Sequence, residues 1–219
     1  MSIKRIQSYK LEFSERIHNK VTWEFEKEKA ILLIHDMQEY FVEAYIREDN
    51  PCKKMICNIQ KIKYKCKEQG VPIIYSAQPK GQTDEQRGLL LDFWGRGIPQ
   101  EGNKEKIIPE LMPDEDDIVI TKWRYSAFEG TELEEIMRKM NKTQIIIVGI
   151  YAHIGCLTTA SVASMKNIKP FMVIDATADF SKEKHELAVK YVSQLTGMVV
   201  STDYILKKIE YSNTMIGNS

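Results

Sequence analysis

Charged and polar side chains follow four apolar segments of this chain, at the point where each segment ends. These side chains are Asp36, Gln78, Lys122 and Tyr151. A carboxyl group close to an ammonium group can transfer a proton, and an amide or a hydroxyl can hydrogen-bond an anion. Ligands of open parallel sheets bind outside the carboxyl ends of the strands, so we expect the four side chains to meet in one site.

Asp36 and Lys122 are the candidates for proton transfer, and each has a structural alternative. Asp36 is also well placed to be the N-cap residue of a following helix. Lys122 is also consistent with a solvated lysine at the end of a strand. Three nearby aromatic residues, Trp123, Tyr125 and Phe128, favour a site that is shielded from water.

His35, His153 and Cys156 lie next to these candidates in the sequence, but a structural position is favoured for each. Neighbouring residues of a strand point to opposite faces, so both histidines are predicted to form hydrogen bonds within the structure rather than to act on a substrate. A helix turns by about 100° per residue. Cys156 is therefore expected to face away from a pocket that position 155 lines.

Apolar runs alternate with helical patterns along the chain. The predicted strands are Ala30–His35, Pro72–Ser76, Asp117–Thr121, Gln144–Ile150, Pro170–Asp175 and Met198–Ser201. This alternation predicts an α/β fold with a doubly wound (Rossmann-like), mostly parallel sheet of about six strands and helices on both faces. No stretch resembles a linker, so residues 1–219 are predicted to form a single domain.

The predicted helices begin at recognisable signals. These signals are Asn50-Pro51, a capping box at Thr131-x-x-Glu134, Gly155 and Ser181. The segment between Ser76 and Asp117 is too long for an ordinary crossover, which indicates a functional loop or additional helices. Tyr211–Ser219 is predicted to be a frayed tail.

The charge balance and the cysteine pattern argue against several classes of protein. Lys plus Arg and Asp plus Glu each number 31, so no overall field recruits nucleic acid or an anionic membrane. Apolar runs are shorter than the roughly 20 residues that span a bilayer, and the N-terminus lacks the apolar core of a signal peptide. We therefore expect a cytoplasmic protein.

The four cysteines include no Cys-x-x-Cys pair, which favours buried reduced thiols. Neither a metal nor a cofactor is predicted.

Several of these segments resemble the isochorismatase family. Ile31–Phe41 resembles the family's first strand with its catalytic aspartate, and Thr121–Phe128 resembles its lysine motif. Gly149–Cys156 resembles its third motif, in the variant form found in true isochorismatases. The stretches Gln78-Pro79, Glu85–Trp94, Asn167–Ala176 and Ala178–Ser181 resemble those enzymes specifically. The resemblance extends from about Tyr9 to Leu206.

The family at large includes amide hydrolases with an Asp-Lys-Cys triad, and the resemblance places that triad at Asp36, Lys122 and Gly155. Because Gly155 replaces the cysteine, a mechanism with a covalent intermediate lacks its nucleophile. True isochorismatases resemble this chain in that departure. Gly155 would leave room for an enolpyruvyl group and present a backbone N–H at a helix start.

The resemblance also supports a set of substrate-binding residues. Arg87 and Gln78 are expected to bind a substrate carboxylate, since the guanidinium fork matches that geometry. Tyr151 is expected to hydrogen-bond another substrate oxygen. Trp94, Tyr125 and Phe41 are the expected apolar walls, with ordinary packing as the alternative for each.

The activity that the resemblance implies is hydrolysis of isochorismate to pyruvate and 2,3-dihydro-2,3-dihydroxybenzoate, in the biosynthesis of catecholate siderophores. A vinyl ether breaks once its methylene carbon is protonated, so the reaction needs a general acid and no covalent nucleophile. Asp36 is the hypothesised acid. A free aspartate is protonated in only about one molecule in a thousand at pH 7, and Lys122 would favour the carboxylate further. We therefore expect Asp36 to gain its proton largely when the dianionic substrate binds.

Three other functions remain open from the sequence. They are a phenazine-pathway hydrolase of 2-amino-2-deoxyisochorismate, an amidohydrolase that uses Cys156, and a non-catalytic docking partner of a carrier protein or synthetase. Some siderophore-pathway isochorismatases have a C-terminal aryl carrier domain, for which this chain is expected to be too short. A carrier would then be a separate protein. A homo-oligomer is also open, because many proteins of this fold oligomerise.

Overall fold

A single parallel sheet of six strands lies at the centre of the computed structural model, which describes residues 3–11 and 17–211. The strands are β1 (Ala30–His35), β2 (Ile73–Ala77), β3 (Ile118–Thr121), β4 (Gln144–Ile150), β5 (Lys169–Ala178) and β6 (Met198–Val200). Their order across the sheet is β3-β2-β1-β4-β5-β6. The direction of chain progression therefore reverses between β1 and β4, as in doubly wound folds. The predicted fold class is confirmed.

Helices cover both faces of this sheet. The α-helices are α1 (Glu39–Val42), α2 (Cys52–Glu68), α3 (Asp84–Arg87), α4 (Leu90–Trp94), α5 (Leu133–Lys139), α6 (Leu157–Met165), α7 (Lys182–Tyr191) and α8 (Thr202–Tyr211). The buried residues of α2 and α8 belong to one apolar cluster, and those of α5, α6 and α7 belong to a second. In the described part of the chain no helix is long and apolar enough to cross a membrane.

Strand β1 illustrates why an unbroken apolar run folds here. All six of its residues are buried, because both faces of the sheet are covered. Leu32 and Ile34 pack into one apolar cluster, whereas Ile31 and Leu33 pack into the other. Full burial of such a side chain contributes roughly 1.5–3 kcal/mol, so β1 anchors Asp36 in a rigid position.

The capping box predicted at Thr131 and Glu134 is wrong. Helix α5 begins at Leu133, and its N-cap residue, Glu132, makes no side-chain cap. The Thr131 hydroxyl instead donates to the Ala127 carbonyl and accepts from the Leu133 N–H at 3.2 Å. The hydroxyl therefore accepts from the N–H of Leu133, and not from that of Glu134 as a capping box would require.

Two other elements are longer than predicted. Strand β5 continues to Ala178, and its register with β4 shifts between Ile147 and Gly149. Before α6, a π-helical turn begins at Ala152, ahead of the predicted start at Gly155. The predicted frayed tail, apart from Tyr211, lies outside the described residues.

The long segment between β2 and β3 contains helices of its own, as one of the two interpretations expected. Thr83 caps α3 through a true capping box with Gln86, and the backbone N–H of Gly81 bonds Ile98 O at 3.0 Å. The segment thus folds back on itself and presents Arg87 and Trp94 to the carboxyl end of the sheet.

Candidate active site

The nine positions predicted from the sequence all line one cavity, of about 50 Å³, at the carboxyl end of the sheet. They are Phe41, Asp36, Gln78, Arg87, Trp94, Lys122, Tyr125, Tyr151 and Gly155. The cavity lies beside the point where the strand order reverses, which is where ligands bind in this class of sheet. Five residues that the sequence did not single out complete the lining: Ile3, Tyr40, Leu90, Ile154 and Phe180.

Asp36 is held in the cavity by its backbone and by three side chains. Its φ of 51° lies in the left-handed region, which is uncommon for a residue other than glycine. The carboxylate accepts hydrogen bonds from Ser76 Oγ at 3.1 Å and Gln78 Nε2 at 3.4 Å, and Lys122 Nζ lies 2.9 Å away. Gln38, not Asp36, is the N-cap residue of α1, so the capping alternative is wrong.

Lys122 is the buried cation that faces Asp36. Its side chain is 2% exposed, so the pair is shielded from water. Besides Asp36, the ammonium donates to the backbone carbonyl of Arg124 at 2.8 Å and to that of Tyr125 at 3.5 Å. An ammonium has three protons, and all three have a protein acceptor.

Arg87 is a second buried cation, and a backbone carbonyl and an amide oxygen hold it. Its Nε donates to Gly95 O at 2.8 Å and its Nη1 to Gln78 Oε1 at 3.1 Å. A Cβ at Gly97 would lie only 3.0 Å from the central guanidinium carbon, so that glycine gives the group its space. Burial lowers the pKa of Arg87, but arginine remains charged in proteins. No carboxylate of the described residues forms an ion pair with it.

Gln78 joins the carboxyl group of Asp36 to the guanidinium of Arg87, and Gln38 fixes its position. The Gln78 side chain bonds Asp36 through Nε2 and Arg87 through Oε1. The fully buried Gln38 side chain bonds both the N–H and the carbonyl of Gln78, each at 2.8 Å, and the carbonyl of Glu105 at 2.7 Å. Sequence reasoning missed Gln38, because only the fold places it opposite Gln78.

Aromatic side chains close the other side of the cavity. Trp94 Nε1 donates to Tyr125 Oη at 2.8 Å, and the Trp94 ring contacts Phe180. Phe180 in turn packs on Tyr151, with ring centroids 4.3 Å apart. The Tyr151 hydroxyl already donates to Phe41 O at 2.8 Å, so donation to a substrate would require that bond to break.

Several neighbours of the site take structural positions. Trp123 and Phe128, which the sequence suggested as shielding residues, do not line the cavity, and Phe128 packs in the core. His153 Nδ1 lies 2.6 Å from Asp179 Oδ1, as expected for a structural histidine. Cys156 faces away from the cavity into the core, as predicted, and burial raises the pKa of its thiol.

The remaining cysteines are free thiols, and one departs from the prediction. Cys52 and Cys66 are buried, whereas Cys57 is exposed on α2. Burial raises the pKa of Cys52 to about 11. The described residues include no group of three or more His, Cys, Asp or Glu side chains that could hold a metal ion.

A second, outer pocket, of about 370 Å³, adjoins this inner cavity. Ile3, Trp94 and Phe180 line both spaces and so form the wall between them. Lys4, Arg5 and Lys184 line the outer pocket. Ligand pockets usually measure roughly 300–1,000 Å³, so the inner cavity by itself is smaller than a usual ligand pocket.

Comparison with known proteins identifies the family. The family model described as "Isochorismatase domain" matches residues 30–204. The chain belongs to the isochorismatase family. It is 48% identical to the isochorismatase of Bacillus subtilis strain 168, over 96% of this chain and 68% of that protein. It is 47% identical to enterobactin synthase component B of Escherichia coli strain K12, over 94% of this chain and 73% of that protein.

Two further similarities extend this picture of an isochorismatase-family protein. Phenazine biosynthesis protein PhzD1 of Pseudomonas aeruginosa is 40% identical, over 94% of this chain and 99% of its own length. A cysteine hydrolase structure from Pseudomonas syringae pv. phaseolicola 1448A superposes with a TM-score of 0.80 at 20% identity, covering 91% of this chain and all of that one. This last similarity demonstrates the fold alone.

Proposed function

We propose that this protein is an isochorismatase, which hydrolyses the vinyl ether of isochorismate to 2,3-dihydro-2,3-dihydroxybenzoate and pyruvate. The observation that supports this most is Arg87, a buried cation with no carboxylate partner in the described part of the chain. It lies two hydrogen bonds away from Asp36 through Gln78. An anionic substrate would supply the missing partner. The name of the Bacillus subtilis relative, isochorismatase, agrees with this activity.

The proposed mechanism uses Asp36 as a general acid. Arg87, with the help of Gln78, binds a substrate carboxylate and places the enol ether beside Asp36. Asp36 gives its proton to the methylene carbon, and the electron pair of the double bond forms the new C–H bond. Lys122 stabilises the Asp36 carboxylate that this transfer leaves. Water adds to the resulting oxocarbenium ion and returns a proton to Asp36. The hemiketal then collapses: the bond between the former enol carbon and the ether oxygen breaks, the hydroxyl proton moves to the departing oxygen, and pyruvate and the alcohol form.

Three side chains contact Asp36 before substrate binds. Lys122, Ser76 and Gln78 all donate to its carboxyl oxygens. The two carboxylates of isochorismate add negative charge to a water-poor site. We infer that Asp36 takes up a proton on formation of the complex.

Pyruvate release from isochorismate, coupled to lactate dehydrogenase, tests the proposal. We expect turnover by the wild-type protein and a loss of about 10²–10⁴-fold in kcat for Asp36→Asn, because the amide cannot supply the proton. Asp203→Asn, at an exposed position on α8, is the matched control and should keep full activity. Folded wild-type protein that releases no pyruvate would overturn the proposal.

The phenazine relative supports a second candidate reaction at the same residues. In it, 2-amino-2-deoxyisochorismate replaces isochorismate, and 40% identity over nearly the whole relative favours keeping this alternative. Values of kcat/KM for both compounds, measured side by side, identify the preferred substrate. A siderophore pathway, a cytoplasmic location, a single domain, a separate carrier protein or synthetase and a homo-oligomer stay predictions.

A further inference from the structure

His35 lies directly behind Gly155, and its ring occupies the space into which a side chain at position 155 would project. A Cβ built on Gly155 would lie 2.9 Å from both ring nitrogens of His35 and closer still to Cε1. Such separations do not occur between real, non-bonded atoms. A side chain at 155 and the His35 ring therefore exclude each other.

The backbone alone does not require glycine at position 155. Gly155 lies in the π-helical turn before α6 and is not one of the residues with positive φ. Gly149, in contrast, has a φ of 106° and also touches the His35 backbone. Steric exclusion by His35 is thus the feature that restricts position 155 to glycine.

The His35 ring is fixed where it lies. It is fully buried, and Nδ1 is 3.0 Å from Ile150 O and 3.7 Å from Asp36 Oδ1. Burial lowers the pKa of His35 to about 4, so the ring is neutral at pH 7. A carbonyl oxygen only accepts hydrogen bonds, which places the single proton on Nδ1. Displacement of the ring would break this hydrogen bond or press the ring against Asp36.

We propose that His35 is a specificity-determining residue that keeps position 155 without a side chain. Position 155 lines the cavity beside Asp36 and Lys122, so a hydroxyl or thiol there would stand next to an acid–base pair. With His35 in place, position 155 contributes only backbone atoms to the wall of the cavity. The site is then restricted to substrates that cleave on protonation, such as enol ethers, and closed to the covalent cleavage of amides and esters. This inference deepens the proposed function and rests on it.

A double-mutant cycle with Gly155→Ala and His35→Ala tests the exclusion independently of any substrate. Overpacking and cavity formation each destabilise a core, so we expect each single variant to lower Tm by about 3–10 °C. The Tm of the double variant should fall by clearly less than the sum of the two single decreases, since each substitution removes the cause of the other's strain. Gly155→Ala combined with Ile62→Ala, buried in α2, is the control and should be additive. An additive His35–Gly155 cycle would overturn the proposal.

A thiol placed at position 155 tests the chemical consequence. In a Cys57→Ser background, which removes the exposed thiol, we compare Gly155→Cys, His35→Ala and the combination of both. Under native conditions we expect iodoacetamide to alkylate the peptide with position 155 about tenfold faster in the combination than in Gly155→Cys alone. Equal alkylation with His35 present, in protein of unchanged Tm, would contradict the proposal. A missing pyruvate activity would instead count against the proposed function alone.

Discussion

The Asp36–Lys122 ion pair decides which side chain of the site is left to bind an anion. All three ammonium protons of Lys122 have protein acceptors, one of them Asp36. The ammonium of Lys122 is thus already paired with Asp36 and is not free to bind a further anion. Arg87, which has no carboxylate partner among the described residues, is the group left for that role.

Arg87→Lys should therefore weaken substrate binding although it keeps the charge. An ammonium cannot reproduce the bonds of Nε to Gly95 O and of Nη1 to Gln78 Oε1 and still face the cavity. Hydrogen bonds to charged groups contribute about 1.5–3 kcal/mol, so we expect KM to rise roughly 10–100-fold, with a smaller fall in kcat. Steady-state pyruvate release measures both.

Arg124→Lys is the control for this change. Arg124 is exposed, donates to the carbonyls of Gln86 and Trp123, and does not line the cavity. Its replacement should leave KM unchanged. An Arg87→Lys enzyme with wild-type kcat/KM would show that Arg87 does not bind substrate.

The sequence identified the charged residues of the site but not the whole lining. Asp36, Gln78 and Lys122 could be predicted because each follows a recognisable strand. Phe180 was missed because β5 runs to Ala178, whereas the apolar pattern was interpreted as ending at Asp175. Tyr40 and Gln38 were missed because no local pattern distinguishes a lining residue from a core residue.

At the scale of elements, the loop at residues 104–108 holds the chain that follows β1 by backbone hydrogen bonds, and we call this arrangement the clamp. The backbone N–H groups of Glu39 and Tyr40 bond Lys106 O and Lys104 O, and Ile108 N bonds Met37 O. Gln38 lies inside this clamp and extends the contact to Gln78. The position of the Arg87–Gln78–Asp36 chain thus depends on a segment distant in sequence.

Gln38→Met should loosen this clamp and misplace Gln78. The substitution removes the partner of the Gln78 N–H and of two carbonyls, and each buried polar group left without a partner costs about 1–3 kcal/mol. We expect the urea unfolding free energy to fall by roughly 2–4 kcal/mol and kcat to fall about tenfold in the fraction that stays folded.

Gln60→Met, which removes one exposed hydrogen bond to Glu110 O, is the comparison for Gln38→Met. It should change neither stability nor kcat measurably. Equal effects of the two substitutions would mean that the clamp does not position the site.

Element boundaries show where sequence patterns stop being informative. The apolar runs of β1 and β4 gave their bounds correctly, because both strands are buried on both faces. The capping box at Thr131 was wrong, since its hydroxyl bonds Ala127 O, a contact that depends on how the preceding turn folds. The π-helical turn at Ala152–Cys156 likewise has no sequence signature, because it depends on contacts at the end of β5.

At the scale of the whole molecule, two buried neutral histidines couple stability to pH. His35 lies behind the site, and His185 lies on α7, where its Nε2 is 3.0 Å from Thr177 Oγ1. Burial lowers the pKa of each to about 4, compared with about 6.5 for a histidine in water. Between these values the unfolded chain binds protons that the folded protein does not. The unfolding free energy is therefore highest above about pH 6.5 and falls as the pH falls towards 4.

His185→Gln should flatten this dependence. Each buried histidine accounts for roughly 2–3 kcal/mol of the fall between about pH 7 and pH 4.5, since one pKa unit corresponds to about 1.4 kcal/mol. The variant starts from a lower stability at pH 7, because it loses packing, but its curve of unfolding free energy against pH should be shallower than the wild-type curve by that amount.

His18→Gln, at an exposed position, is the control and should keep the wild-type slope. Urea unfolding of the three proteins at several pH values gives the slopes directly. Parallel curves for His185→Gln and the wild type would mean that His185 is already protonated in the fold, and that acid destabilises this protein through its carboxylates instead.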